Sequence, residues 1–147
     1  MSYPNAYNAY QKTNVNTASP GKLVVLLYEG AIKNLSSALR LFNPDGKIEA
    51  GNIEQFGIHI QKAQAIITEL QVSLDMEKGG EIAKNLLSLY VFFNEQLTDA
   101  VIYHDKTKIQ PVLTMLSDLA DSWRKIANST VNADVPKTVK NTLNIEG

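Results

Sequence analysis

The sequence contains no cysteine, which removes disulfide frameworks, thiolate zinc sites and thiol nucleophiles at once. With only two histidines besides, a metal centre has few ligands to draw on, and neither a metal nor another cofactor is expected. An excess of positive charge is also missing. The formal net charge is -1 and no basic stripe occurs, so nucleic-acid binding has no electrostatic footing. No apolar run approaches membrane-spanning length, so membrane insertion is not expected. The first residues, MSYPNAYNAYQ, lack the basic and apolar regions of a signal peptide. Together these absences predict a soluble, cytoplasmic protein. Strand-like alternation is absent as well.

What is present is an ordinary globular balance: 44% hydrophobic and 20% charged residues in 147, enough for one domain with its own core. The stretch TASPGKLVVLLYEGAI, from Thr17 to Ile32, is the most informative. Ser19 is placed to act as N-cap, and Pro20 occupies the first helical position, where a missing N–H costs nothing. Leu23, Leu26, Leu27, Ala31, Leu35 and Ala38 then form one stripe at helical spacing. Val24, Tyr28, Ile32 and Leu39 form a second stripe beside it. A surface helix of a small soluble protein needs only one. Either this helix lies at the centre of its bundle, or one stripe serves something else.

The first helix is expected to end near Phe42, before the turn signal Asn43-Pro44-Asp45-Gly46. A second helix starts around Asn52. Ile53, Phe56, Ile60, Ala63, Ile67, Leu70 and Leu74 make its heptad seam, with Ile58, Ala65, Ile66 and Val72 as surplus. Gly79-Gly80 breaks the run, and a third helix is expected from Glu81 to His104. Its stripes are Ile82, Leu86, Leu89, Phe93 and Ala100, and beside them Ala83, Leu87, Tyr90, Leu97 and Val101. A fourth helix is expected after Thr107 as N-cap, with Pro111 in its first turn. Its core stripe is Ile109, Val112, Leu116, Leu119, Trp123 and Ile126.

The expected fold is therefore all-α, an antiparallel up-down four-helix bundle over residues 17–128. A flexible N-terminal arm, residues 1–16, precedes it, and a polar, disordered tail, residues 129–147, follows. The arm holds three of the six tyrosines, Tyr3, Tyr7 and Tyr10. Tyrosine offers a large contact area with few rotors and a polar tip, which suits docking.

Catalytic constellations do not occur. A ferritin-like di-iron bundle needs Glu three residues before His, but Phe56 precedes His59 and Val101 precedes His104 at that spacing. Gly21-Lys22 resembles the end of a P-loop, yet Asn16 stands where the first Gly belongs and Leu23 where Ser or Thr would bind magnesium. The chain is not expected to be an enzyme. The surplus apolar stripes instead predict a surface for another polypeptide. By that pattern Val24, Tyr28, Ile32, Ile58, Ala65, Ile66, Leu87 and Tyr90 are expected outside the innermost core, in contact with a partner or the arm.

Several segments in order resemble one family. They are NAYNAYQKTNVNTASPGKLVVLLYEGAI, KAQAIITEL from Lys62 to Leu70, SLDMEKGGEIAKNLLSLY from Ser73 to Tyr90, and Ile109 to Trp123 ending in DLADSW. In this order they are similar to the FliS flagellar secretion chaperones. Val91-Phe92-Phe93 and Tyr103-His104 depart from the family's more polar pattern at those places.

The resemblance implies a helical bundle that binds the C-terminal segment of flagellin in apolar grooves. It implies that this client is kept from premature polymerisation and is delivered to the flagellar type III export gate. It further implies that Tyr7 and Tyr10 dock the complex on that gate, or that the arm covers the groove in the free protein. An anti-sigma factor or another flagellar regulator is a further possible partner, with the free chain a monomer or weak homodimer. The competing expectations are a homo-oligomeric structural bundle and a regulatory adaptor.

Overall fold

The computed structural model describes residues 20–132. Among these residues the chain forms four α-helices: α1 Pro20–Leu39, α2 Ile53–Val72, α3 Met76–Tyr103 and α4 Gln110–Asn132. The arm, residues 1–16, and Ser19 lie outside the described residues, as does the chain beyond Asn132.

Helix α1 is described from Pro20, a residue that a first helical turn tolerates. It ends at Leu39 and not at Phe42, because the chain tightens there. The amides of Leu41 and Phe42 donate to the carbonyls three residues back, Ala38 and Leu39. The turn then closes as expected. Gly46 sits at φ 83° and donates to Asn43 O at 2.8 Å, while Asp45 Oδ1 accepts from the Lys47 amide. An isolated bridge between Phe42 and Ile48 seals the loop.

Helix α3 starts earlier than the glycine pair suggests. Asp75 caps it by accepting from the Lys78 amide at 3.0 Å, and Gly80 interrupts the helix after its first turn at φ 55°, ψ -134°. That conformation is open to glycine and strained for other residues. His104 ends α3 in the left-handed region. Asp105, not Thr107, is the capping residue that follows: its carboxylate accepts from the amide and hydroxyl of Thr107 and starts the 3-10 turn Lys106–Lys108. These bonds hold the Asp105 carboxyl below its usual range. Pro111 falls in the first turn of α4.

Helix α4 continues through Ser129 to Asn132, so it takes in the start of the expected tail. Ala127 is buried four residues after Trp123, which carries the core stripe one turn further.

The arrangement accounts for the two stripes of α1. This helix packs along α2 on one side and α4 on the other, while α2 packs along α1 and α3. A helix between two neighbours buries more than one face. The backbones of α3 and α4 stay apart over most of their length. Large rings fill the space between them: Tyr28 of α1 stands with its ring centre 6.3 Å from that of Tyr90 on α3 and 6.4 Å from that of Trp123 on α4. The core also takes in the expected seam of α2 from Phe56 to Leu74, but not its first member Ile53, which is 40% exposed, together with Leu27, Ala31 and Leu35 of α1, Phe93 and Leu97 of α3, and Val112 and Leu116 of α4.

Candidate functional site

On the outer side of the α2–α3 pair lies an open groove of about 420 Å³. Helix α2 lines it with Glu54, Gly57, Ile58 and Gln61, and α3 with Val101 and Ile102. Gln64 and Thr98 line it too and join the two helices: Gln64 Nε2 donates to Asn94 O at 3.1 Å and to Thr98 Oγ1 at 3.0 Å. Asn94 Nδ2 donates in turn to Thr68 Oγ1 at 3.1 Å. Each such bond contributes about 1 kcal/mol net, so this polar seam fixes the spacing of α2 and α3 beside the groove. Gly57 contributes no side chain to the lining, and Ile58 and Ile102 are 37% and 62% exposed.

Further exposed apolar side chains stand on α3. Val91 and Ile102 are eleven residues apart, about three turns, and so share a face. Phe92 and Tyr103 repeat that spacing on the adjoining face, and all four side chains are exposed. Glu95 and Thr98 lie between the first pair on its face, and Gln96 and Asp99 between the second, so these are two small separate apolar spots.

Of the eight residues expected in a groove, Ile58 lines this one. Tyr28, Ile66 and Tyr90 are core residues, 0%, 5% and 1% exposed, which corrects their placement. The reason is phase. The buried face of α3 runs through Ala83, Leu86, Tyr90, Phe93, Leu97 and Ala100, so the two sequence stripes merge into one broad core face. Tyr28 is buried because α1 has neighbours on two sides. Val24, Ile32 and Leu87 are half-buried and pack against the core, and Ala65 is half-buried. Tyr7 and Tyr10 lie outside the described residues. The stripe reading missed Gly57 and Ile102. Its nearest signal is Val101 in the second stripe of α3, together with the bulky Val91-Phe92 and Tyr103 positions.

Among the described residues no cluster of His, Asp and Glu is placed to hold a metal ion, and no helix is long and apolar enough to cross a membrane. Residues 3–130 match the family model of flagellar protein FliS. The chain belongs to the FliS family. It is 39% identical over 114 residues to the flagellar secretion chaperone FliS of Salmonella typhimurium strain LT2, a match covering 77% of this chain and 80% of that one. With the flagellar secretion chaperone FliS of Vibrio cholerae O1 it shares 36% identity over 122 residues, or 80% and 85% of the two chains. With that of Campylobacter jejuni strain 81116 the figures are 34% over 125 residues, or 84% and 92%.

Inside this FliS-family bundle two hydroxyls and one carboxyl are buried. The hydroxyls of Tyr28 and Tyr90 are hydrogen-bonded to each other inside the core. Burial first, and the neighbouring Tyr28 second, push the Tyr90 hydroxyl far above its usual value. Glu69 is the one charged residue buried among those described, 4% exposed, with Oε1 lacking a partner. Burial pushes its carboxyl up as well.

A pH dependence follows from Tyr90. Above about pH 10 an unfolded tyrosine releases its proton while the folded chain retains it. The folded state then binds more protons than the unfolded one, so stability falls as pH rises. In urea titrations at stepped pH the unfolding midpoint should decline above about pH 10 and decline less in Tyr90→Phe. Equal slopes for the two proteins would show that Tyr90 is not the linked group.

Proposed function

We propose that this chain is a cytoplasmic export chaperone that binds the C-terminal segment of flagellin, prevents its premature polymerisation and delivers it to the flagellar type III export gate. The observation that carries this reading is membership of a family whose curated relatives are named flagellar secretion chaperones. The open α2–α3 groove supports it, because Ile58, Val101 and Ile102 offer apolar contact of the kind a helix needs in a helix-in-groove complex.

The physical task is modest chemistry and demanding thermodynamics. A segment that is unordered before binding must be ordered on the chaperone, and that ordering offsets much of the contact energy. The complex can therefore cover a large apolar surface and still release its client. A seam such as Gln64–Asn94–Thr98, fixed before binding, spares the chaperone a similar ordering cost. No step in this task requires bond making or breaking, which agrees with a non-enzymatic role. Tyr7 and Tyr10 are assigned to gate docking or to covering the groove, on family resemblance.

The test is calorimetric titration with the C-terminal segment of flagellin from the same organism. One-to-one saturation with a large negative heat-capacity change is the expected result. Absence of binding, both by the full chain and after deletion of residues 1–16, would remove flagellin as client. Sedimentation of the free chain at low concentration separates the competing structural reading, which requires a persistent homo-oligomer.

A further inference from the structure

Gly57 is out of place by the standards of its own helix. It lies in the interior of α2, where glycine is the least favourable residue apart from proline. The fold gives no reason for it. Its φ is not positive, and a Cβ built on it would meet no atom within 4 Å. Alanine would fit there and would favour the free helix. What Gly57 does face is the groove, beside Ile58 and opposite Val101 and Ile102.

The charges around it point to the chemistry of an occupant. Glu54 is the only charged side chain lining the groove, and it is exposed with no ion pair among the described residues. Glu95 and Asp99, on the neighbouring surface of α3, have none there either. None of the lysines of these two helices lines the groove, and the nearest along α2, Lys62, stands one turn beyond Ile58. Lys78 and Lys84 lie toward the far end of α3, and Lys84 pairs with Glu81. The groove therefore sets Ile58, Val101 and Ile102 among the neutral polar Gln61, Gln64 and Thr98, with one charge, Glu54, in its lining.

We infer that Gly57 is kept for the occupant: a helical stretch of the flagellin C-terminal segment crosses α2 with its backbone against Gly57. This rests on the flagellin reading above and specifies the contact. The crossing helix carries a small residue where it meets Gly57, which lets the two backbones approach closely. It carries an apolar ridge for Ile58, Val101 and Ile102, and a Lys or Arg that faces Glu54. Gly57 thus limits which helices the groove accepts, and Glu54 sets their orientation.

The experiment compares wild type, Gly57→Ala, Gly57→Leu and Glu54→Gln, each measured for urea stability alone and for titration with the flagellin C-terminal segment. Gly57→Ala should unfold at the same or higher urea concentration and bind roughly fivefold more weakly, as one methyl at a close crossing separates the backbones. Gly57→Leu should weaken binding roughly a hundredfold, the scale of disrupting the centre of an interface. Glu54→Gln should weaken binding at low salt and match wild type at high salt.

If wild type binds and both Gly57 variants bind equally well, the inference is wrong while the flagellin reading stands. If Gly57→Ala is destabilised, the glycine serves the fold and the inference is wrong. If Gly57→Leu fails to fold, Gly57→Ala alone decides by the same criteria. If wild type does not bind, both readings fall together.

Discussion

Replacing Trp123 by alanine is expected to remove about 3–5 kcal/mol of folding stability, a large share of the 5–15 kcal/mol typical of a domain. The size of the effect follows from where the ring stands. Trp123 is 2% exposed and its ring centre is 6.4 Å from that of Tyr28, which hydrogen-bonds on to Tyr90 of α3. The α3 and α4 backbones do not close on each other, so the three rings occupy the gap between helices. Collapse into the vacated space is opposed because α1 is already held by α2 and α4 on its two sides. A cavity of that kind keeps most of its cost. Urea unfolding followed by circular dichroism should show the midpoint falling with little change in slope. Hydrogen exchange should quicken in α4 well before α2, whose seam does not involve Trp123. Trp123→Phe should lose less than half as much. A loss under about 1 kcal/mol for alanine would mean that α4 reseats itself on α1, and the ring-filled gap would not be the keystone described.

The same packing explains which parts of the molecule could be read from residues alone. Backbone chemistry is local, so Pro20 at the start of α1, the Asn43–Gly46 turn and Pro111 in the first turn of α4 were legible. Gly80 was legible as an interruption but not as one placed after a helix start, because the Asp75 cap lies upstream of it. The α2 seam was legible because a heptad marks one face, and that face is buried from Phe56 to Leu74. Burial of the second stripes was not. Whether Tyr28 faces a partner or the core depends on how many helices flank α1, and no spacing within α1 contains that number. Tyr90 illustrates a finer limit: two stripes a few tens of degrees apart merge into one face once a real helix is seated. The groove was half legible. Ile58 stands out as surplus apolar surface, but Gly57 carries no hydrophobic signal, and Ile102 sits among residues that read as the end of a helix.

Aspartate at Ile58 and Ile102 together should abolish client binding, by roughly a hundredfold or more, and leave the fold intact. Both halves of that expectation come from exposure. In the free chain these side chains are 37% and 62% exposed, so a carboxylate there stays in water, and surface substitutions of this kind change stability by about 0.5 kcal/mol or less. In the complex the same carboxylates would be pressed against an apolar ridge without partners, which is a costly placement for charge. Glu54 beside them adds repulsion within the groove. Ile58→Leu with Ile102→Leu keeps the apolar contact and should bind within a few-fold of wild type, which separates a change of chemistry from a change of shape. Tyr90→Asp is the opposing case. At 1% exposure it should unfold the bundle, and any binding defect it shows says nothing about the groove. Calorimetric titration and urea unfolding on the same preparations decide the matter. Full affinity in the double aspartate variant would place the client on another face, and the outer surface of α3 around Phe92 and Tyr103 would be the next to substitute.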